Sequence, residues 1–193
     1  HVDHFGGVLG IINEQEAQSR NVPIVAPAGF MAEATSENVL VGPAMSRRSM
    51  YQFGKNLDTG AQGFVDAGLG KRVAYGTIGI LAPTITIEKS TQNLTLDGVE
   101  FVFHNTPGAE APAELTFSIP ALKAYGGAEL LAQTMHNFLP VRGAKVRDVL
   151  QWSSYMQNAL DQLGDAEVYF GQHNWPIWGQ PQIREFITKH RDV

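Results

Sequence analysis

Residues 94–103, LTLDGVEFVF, carry the clearest local signal of structure in the chain. Apolar and polar residues alternate on both sides of Asp97-Gly98, which is the period of a β-strand with one buried face. An Asp-Gly pair between two such runs is typical of a tight β-hairpin, because its turn requires positive φ angles. The sequence therefore predicts two antiparallel strands, the second of which runs into a turn at residues 104–108.

Further elements are predicted before this hairpin. Asn13 is suited to cap a short helix, with Glu16 three residues on as its capping-box partner. A short buried strand follows at residues 24–26, and Ile85 and Ile87 alternate with polar residues as another strand. A helix followed by a strand is typical of an α/β protein.

The pattern continues after the hairpin. Apolar residues three or four apart from Val146 to Leu163 predict a helix that stops at Gly164. Residues 167–170 predict a strand that places His173 just beyond its end. We therefore predict one α/β unit with α+β layering.

Two segments are less regular. Residues 28–71 show no clean period. We interpret them either as a functional insertion with short helices or as a segment whose secondary structure the sequence pattern misrepresents. Pro120 suits the first turn of a helix, which we predict to about Met135 although Gly126-Gly127 weaken it.

The composition excludes several classes of protein. The chain has 193 residues, of which 44% are hydrophobic and 17% charged, so it suits one globular domain or a large piece of one. Its net charge of −5 argues against a nucleic-acid surface held by bulk basicity. It contains no cysteine, which excludes disulfides, thiolate zinc sites and a cysteine nucleophile. No run approaches the ~18 apolar residues of a membrane span.

Three potential metal ligands lie within the first four residues: His1, Asp3 and His4. They precede Gly6-Gly7, which suits a tight loop that points several side chains into one pocket. Imidazole and carboxylate groups without thiolate are typical ligands of Zn²⁺, Mn²⁺ or Fe²⁺. The alternative is a polar loop with incidental histidines.

Three further residues are candidates by their context. His173 precedes the rigid corner Asn174-Trp175-Pro176, although a capping or surface role is an alternative. Glu110 lies between two alanines after a turn, and Glu129 lies in an apolar stretch where an unpaired carboxylate would be costly. Glu114 competes with Glu110, and the spacing alone does not decide between the two.

Two arginines, Arg142 and Arg147, lie near the start of the predicted long helix. Guanidinium groups bind oxyanions through paired hydrogen bonds, and a helix N-terminus adds further donors. Solvated arginines are the alternative. His104 and His136 are ambiguous, since each could support a site or simply be packed. Neither a P-loop nor a GxGxxG pattern is present, so no motif predicts nucleotide binding.

Several stretches of the chain resemble a known family. HVDHFGG resembles the latter part of the H-x-H-x-D-H metal motif of the metallo-β-lactamase superfamily. APAGFMAEATSENVLVGPAMSRRSMYQFG, VDAGLGK, LDGVEFVFHNTPGAEAPAEL, HNFLPVRGAKVRD and HNWPIWG resemble, in order, the linear alkyl sulfatases of that superfamily. These are bacterial enzymes that hydrolyse dodecyl sulfate and related esters. The TPGxEAPAE, RGAxVRD and HxWPxWG blocks are specific to the family.

The resemblance implies two Zn²⁺ ions and a ligand for each position. His1 and Glu110 would bind one ion, Asp3, His4 and His173 the other, and Glu129 both. This implication favours Glu110 over Glu114, and it makes Glu129 and His173 the catalytic residues of the site. The sulfate group would be bound by Asn137, Arg142 and Arg147. The implied reaction is hydrolysis of an alkyl sulfate to alcohol and inorganic sulfate by a metal-activated water.

The resemblance also sets expectations about the whole protein. We expect residues 1–193 to be a fragment, truncated at both ends, of a metallo-β-lactamase-type αββα catalytic domain, and to be inactive alone. The first histidine of the metal motif would precede His1. A homodimer of the full-length parent, a small-molecule alkyl sulfate substrate and a periplasmic or secreted location are implied, and no nucleic-acid partner is expected. The alternatives are another hydrolase of the superfamily, such as a lactonase or phosphodiesterase, and a non-catalytic binding relative.

Overall fold

The computed structural model describes residues 1–68, 70–71, 76–135 and 137–193. These residues form a mixed α/β fold in two compact units. The first unit comprises His1–Thr86 with Pro140–Ala144, and the second comprises Ile87–Leu139 with Lys145–Val193. His136 lies outside the described residues, and no helix within them is long and apolar enough to cross a membrane.

The first unit is mainly helical. Its helices and strands are α1 (Val2–Phe5), α2 (Glu14–Ser19), β1 (Val25–Pro27), α3 (Phe30–Thr35), α4 (Gly42–Phe53) and β2 (Ile85–Ile87), the last of which ends in the second unit. β1 and β2 form a two-stranded sheet. The predicted capping box of α2 is confirmed, since the Asn13 side chain accepts from the Glu16 N–H at 2.8 Å and the Glu16 carboxylate accepts from the Asn13 N–H at 3.2 Å.

Short helices occupy much of the segment 28–71, as one of the two interpretations expected. α3 continues into one turn of π-helix at Ser36–Leu40, and α4 follows directly. α4 ends at Phe53 and is followed by Gly54, whose φ of 62° places it in the left-handed region that glycine adopts most easily. The sequence shows no clean period here because few residues of these helices are buried; in α4 they are Met45 and Ser49.

A six-stranded sheet forms the centre of the second unit. Its strands, in spatial order, are β3 (Thr91–Leu96), β4 (Val99–Asn105), β5 (Leu115–Ile119), β6 (Ala124–Gly126), β7 (Val168–Phe170) and β8 (Ile177–Trp178). Neighbours are antiparallel except β6 and β7, which are parallel. The predicted hairpin is confirmed: Leu96 pairs with Val99, and Asp97 and Gly98 have φ angles of 50° and 78°.

The predicted helix from Pro120 to Met135 is wrong. Pro120–Leu122 form only a short 3₁₀ turn, and Ala124–Gly126 are strand β6. These residues form a strand rather than a helix because β6 pairs on both sides, with β5 and β7, and because Tyr125 is buried in the core at 1% exposure. Tertiary pairing here overrides the local preference that the proline suggested.

Two helices complete the second unit: α5 (Val149–Gln162) and α6 (Gln180–Arg191). The predicted long helix is therefore present, but it begins at Val149 because the Asp148 side chain caps it by accepting from the Gln151 N–H at 3.0 Å. The buried face of α5 belongs to the main core, with Trp152, Met156, Ala159 and Leu160 packed in one cluster with Ile183 and Ile187 of α6. This core supports the ends of β6 and β7.

Candidate metal centre

The residues predicted as metal ligands fall in both units. His1, Asp3 and His4 lie in the first unit, and Glu110, Glu129 and His173 lie in the second. Each unit brings its own candidates together.

In the first unit, α1 holds the candidate ligands. Asp3 and His4 are neighbours on this short helix, with His4 Nε2 3.5 Å from Asp3 Oδ2. His1 precedes the helix, and its Nε2 lies 3.4 Å from Oε2 of Glu37 in the π-helical turn. The His1 side chain is 8% exposed and that of Glu37 19%. A carboxylate that the sequence did not single out therefore lies beside the His1 imidazole.

In the second unit, the two parallel strands position Glu129 and His173. Gly126 and Phe170 are paired where β6 and β7 end, and each candidate follows three residues later. Because the carboxyl ends of parallel strands meet at one edge of a sheet, the two side chains come together, with His173 Nε2 2.7 Å from Glu129 Oε1. Gly127, directly after β6, makes room for the Tyr169 side chain of β7, since a Cβ at that position would lie 1.9 Å from the Tyr169 hydroxyl.

Glu110 joins this pair from the turn between β4 and β5. Glu110 and Glu129 each offer a carboxylate oxygen, and the two atoms lie within 4.8 Å of each other. The Glu129 side chain is 10% exposed and that of Glu110 13%. Carboxylate and imidazole groups are typical ligands of divalent metal ions, so Glu110, Glu129 and His173 have the donor chemistry of a metal site.

The residues after His173 are hydrogen-bonded to the segment that follows Glu129. Asn174 Oδ1 accepts from the Gln133 N–H at 2.7 Å, and the Gln133 side-chain amide donates to the Trp175 carbonyl at 2.8 Å. These bonds fix the predicted aromatic corner. They leave His173 half-buried and turned towards Glu129, rather than in the surface role that was its alternative.

Glu114 is buried beside the candidate ligands, at 6% exposure. Its Oε2 accepts from the backbone N–H groups of Glu110 at 2.7 Å and Ala111 at 3.0 Å. Its Oε1 accepts from the N–H of Glu129 at 3.1 Å. Burial raises the pKa of the Glu114 carboxyl to about 8, and the charges of Glu110 and Glu129 act in the same direction. Both carboxyl oxygens of Glu114 therefore face the main chain.

Arg147 is buried as well, at 5% exposure, so it is not the solvated arginine of the alternative interpretation. Its Nε donates to the Glu110 carbonyl at 2.6 Å, and its Nη2 donates to the Glu110 carboxylate. Its Nη1 donates to the backbone carbonyl of Asn137. Asn137 is itself exposed. Arg147 thus ties the Glu110 turn to the segment around Asn137.

Arg142 belongs to the first unit and is also engaged. Its Nη2 lies 3.4 Å from Glu37 Oε1, and its backbone N–H donates to Oε1 of Gln52 at 2.9 Å. The Arg142 side chain is 16% exposed. Glu37 therefore contacts both His1 and Arg142. The only signal in the sequence was its place in a stretch that resembles the alkyl sulfatases.

His104 is packed within the sheet. It is 5% exposed, its ring is stacked on Tyr125 with centroids 6.3 Å apart, and its Nδ1 lies 3.3 Å from Thr91 Oγ1. Burial lowers the pKa of His104. Of the two interpretations left open for this histidine, the structure supports the packed one.

Solved structures identify the class of fold. A metallo-β-lactamase from Pontibacter korlensis is 12% identical, with a TM-score of 0.52 over 93% of this chain and 62% of that chain. No family model matches the chain. The chain therefore has the metallo-β-lactamase fold, as the resemblance implied.

The particular resemblance within that class is to alkylsulfatases. The chain is 44% identical to Alkyl/aryl-sulfatase BDS1 of Saccharomyces cerevisiae and 42% identical to a linear primary-alkylsulfatase of Pseudomonas sp., in each case over its whole length. It is also 42% identical to the stereoselective inverting sec-alkylsulfatase Pisa1 from Pseudomonas sp., with a TM-score of 0.94 over 100% of this chain and 31% of that chain. The chain spans 30% and 29% of the length of the two curated relatives. The predicted resemblance is confirmed.

Proposed function

We propose that this chain supplies most of the catalytic site of a zinc-dependent alkyl sulfatase, which hydrolyses alkyl sulfate esters to an alcohol and inorganic sulfate. The observation that carries the proposal is the 42–44% identity to alkylsulfatases over the whole chain. A homodimer of the full-length protein and a periplasmic or secreted location rest on the resemblance alone.

Two zinc ions are the proposed cofactor. His1 and Glu110 would bind one ion, Asp3, His4 and His173 the other, and Glu129 both. The chemistry of the donors supports this assignment, since the six residues are imidazoles and carboxylates. Within the units, potential ligand atoms of three pairs lie within 4.8 Å of each other: Asp3 and His4, Glu129 and His173, and Glu110 and Glu129. When bound, zinc lowers the pKa of a coordinated water and stabilises negative charge on oxygen.

The choice of Glu110 over Glu114 has geometric support. Both oxygens of Glu114 accept N–H groups of the main chain, so this carboxylate is already engaged on both sides. Glu110 instead has an oxygen within 4.8 Å of a Glu129 oxygen. In this proposal Glu110 and Glu129 bind metal, and Glu114 does not.

The sulfate group would be bound by Asn137, Arg142 and Arg147. A sulfate monoester has one negative charge spread over three terminal oxygens, which suits guanidinium donors. The protein has a net charge of −5, so a local cation rather than long-range attraction must orient the anion. These residues bind and orient the ester and offset negative charge as its bond breaks.

A substrate panel tests the proposal. The intact protein, loaded with zinc, is given dodecyl sulfate, a lactone and a phosphodiester under the same conditions, and sulfate, hydroxy acid and phosphomonoester are measured. We expect release of sulfate and no turnover of the other two. A matched control is Glu167→Gln, which changes an exposed carboxylate of the second unit and should retain full activity.

The same panel distinguishes the alternatives. Turnover of the lactone or the phosphodiester with no sulfate release would assign the protein to another hydrolase class of the fold. A protein that binds no zinc and turns over none of the three would be a non-catalytic relative. Either result would overturn the proposed function.

A further inference from the structure

We propose that Glu114 is a positioning residue for Glu110 and Glu129, because one buried carboxylate holds the backbone of both candidate ligands. This inference rests on the proposed function, since it assumes that Glu110 and Glu129 bind metal. Glu114 lies four residues after Glu110 and 15 residues before Glu129 along the chain, so it joins two separate turns.

The hydrogen bonds divide between the two carboxyl oxygens. Oε2 accepts from Glu110 and Ala111, and Oε1 accepts from Glu129. All three donors are backbone N–H groups in irregular segments, where no helix or sheet partner is available to them. Removing this acceptor would leave these N–H groups to find other partners in a poorly accessible place.

The backbone at Glu129 shows why such a constraint is needed. Ala128, directly before it, has a φ of 49°, a left-handed conformation that alanine adopts reluctantly. Strained backbone of this kind persists only where its surroundings fix it. The Glu129 N–H that binds Glu114 is the next donor along the chain, so Glu114 is well placed to hold the turn that directs the Glu129 side chain.

Glu110 is held from two sides. Glu114 accepts its N–H, while Arg147 donates to its carbonyl and to its carboxylate. Contacts within the protein therefore fix the direction of the Glu110 side chain. Groups that orient metal ligands typically change metal affinity by roughly 10- to 100-fold when they are removed.

The variant Glu114→Gln tests this role. Glutamine has the same shape but only one acceptor oxygen, so its amide NH₂ must face a backbone N–H on one side. We expect the affinity for zinc, measured by chelator competition, to fall by about 10-fold or more. With Co²⁺ in place of zinc, the visible absorption band, which reports ligand geometry, should also shift.

Thr116→Val is the matched control. Thr116 is fully buried, and its hydroxyl is hydrogen-bonded to Tyr125 at 2.9 Å, so the variant should destabilise the same sheet without contacting a candidate ligand. We expect it to retain zinc affinity and the cobalt spectrum of the wild type. Equal losses of zinc affinity in both variants, or unchanged affinity and spectrum in Glu114→Gln, would overturn the inference.

A second measurement needs no variant. In the zinc-free wild-type protein, the amide hydrogens of Glu110, Ala111 and Glu129 should exchange slowly although all three lie outside helices and strands. Exchange at the rate of exposed loop amides would overturn the inference even if Glu114→Gln failed to fold. A wild-type protein that binds no zinc would overturn the proposed function itself, while slow exchange would still place Glu114 at these turns.

Discussion

Arg147 binds Glu110 at two points, through the backbone carbonyl at 2.6 Å and through the side-chain carboxylate. The pair lies in a poorly accessible part of the second unit, with side chains 3% and 13% exposed. A guanidinium that approaches both atoms of one residue fixes the direction of that residue as well as its charge. Glu110 is therefore oriented by a cation on one side and by Glu114 on the other.

The first prediction concerns the stability of this pair. Arg147→Ala should lower the free energy of unfolding by about 3–5 kcal/mol, because it leaves a poorly hydrated carboxylate without its partner. Denaturant unfolding measures the change. Arg20→Ala, at an exposed arginine, is the control and should stay within about 0.5 kcal/mol of wild type. A loss below 1 kcal/mol at Arg147 would contradict the role of the pair.

The second prediction separates binding of sulfate from support of Glu110. Arg147→Lys retains a positive charge but cannot make the paired contacts of a guanidinium. At a zinc concentration that saturates the variant, we expect the turnover of dodecyl sulfate to fall about 10- to 150-fold, which corresponds to ~1.5–3 kcal/mol. Normal turnover with normal zinc content would restrict Arg147 to holding Glu110 and would remove it from the proposed sulfate site.

The third prediction concerns Glu129, which is proposed to bind both ions. Glu129→Gln should reduce the zinc content as well as turnover, because the amide is a weaker metal ligand than the carboxylate it replaces. Elemental analysis of the purified variant measures the zinc. Glu167→Gln again serves as the control. If Glu129→Gln retained the zinc content of wild type, Glu129 would not be a metal ligand.

The fourth prediction concerns the pH dependence of stability. Burial lowers the pKa of His104 from its ordinary value of 6.5, so the folded state disfavours the proton that the unfolded state accepts. The free energy of unfolding should therefore fall as the pH is lowered through about 6.5. Unfolding curves between pH 8 and pH 5 should show a smaller decline in His104→Gln, which cannot titrate there. Parallel curves for the two proteins would contradict this assignment.

Local signals predicted those parts of the fold in which the chain folds on near neighbours. The Asp97-Gly98 turn and the Asn13–Glu16 capping box depend on residues one to three positions apart, and both are confirmed. Strand β6 was missed because its pairing with β7 joins Tyr125 to Tyr169, which are far apart in sequence. The Pro120 signal is local and correct only for one short turn.

The sequence likewise predicted only some of the residues of the candidate site. Residue types and the family resemblance predicted Glu110, Glu129 and His173, and the structure brings these three together within the second unit. Glu114 appeared only as a competitor of Glu110, because its role depends on burial and on three backbone donors that no sequence pattern reveals. Glu37 was missed for a similar reason, since its contacts with His1 and Arg142 are long-range.

The central claim is that metal bound by these residues is required to hydrolyse alkyl sulfates. Its most direct test is to remove all metal from the intact protein, restore zinc stepwise, and measure zinc content and sulfate release from dodecyl sulfate together. We expect no sulfate release from the metal-free protein, and release that rises with added zinc to a plateau at two ions per chain. Sulfate release that is unchanged by removal of metal, or absent with two zinc ions bound, would contradict it.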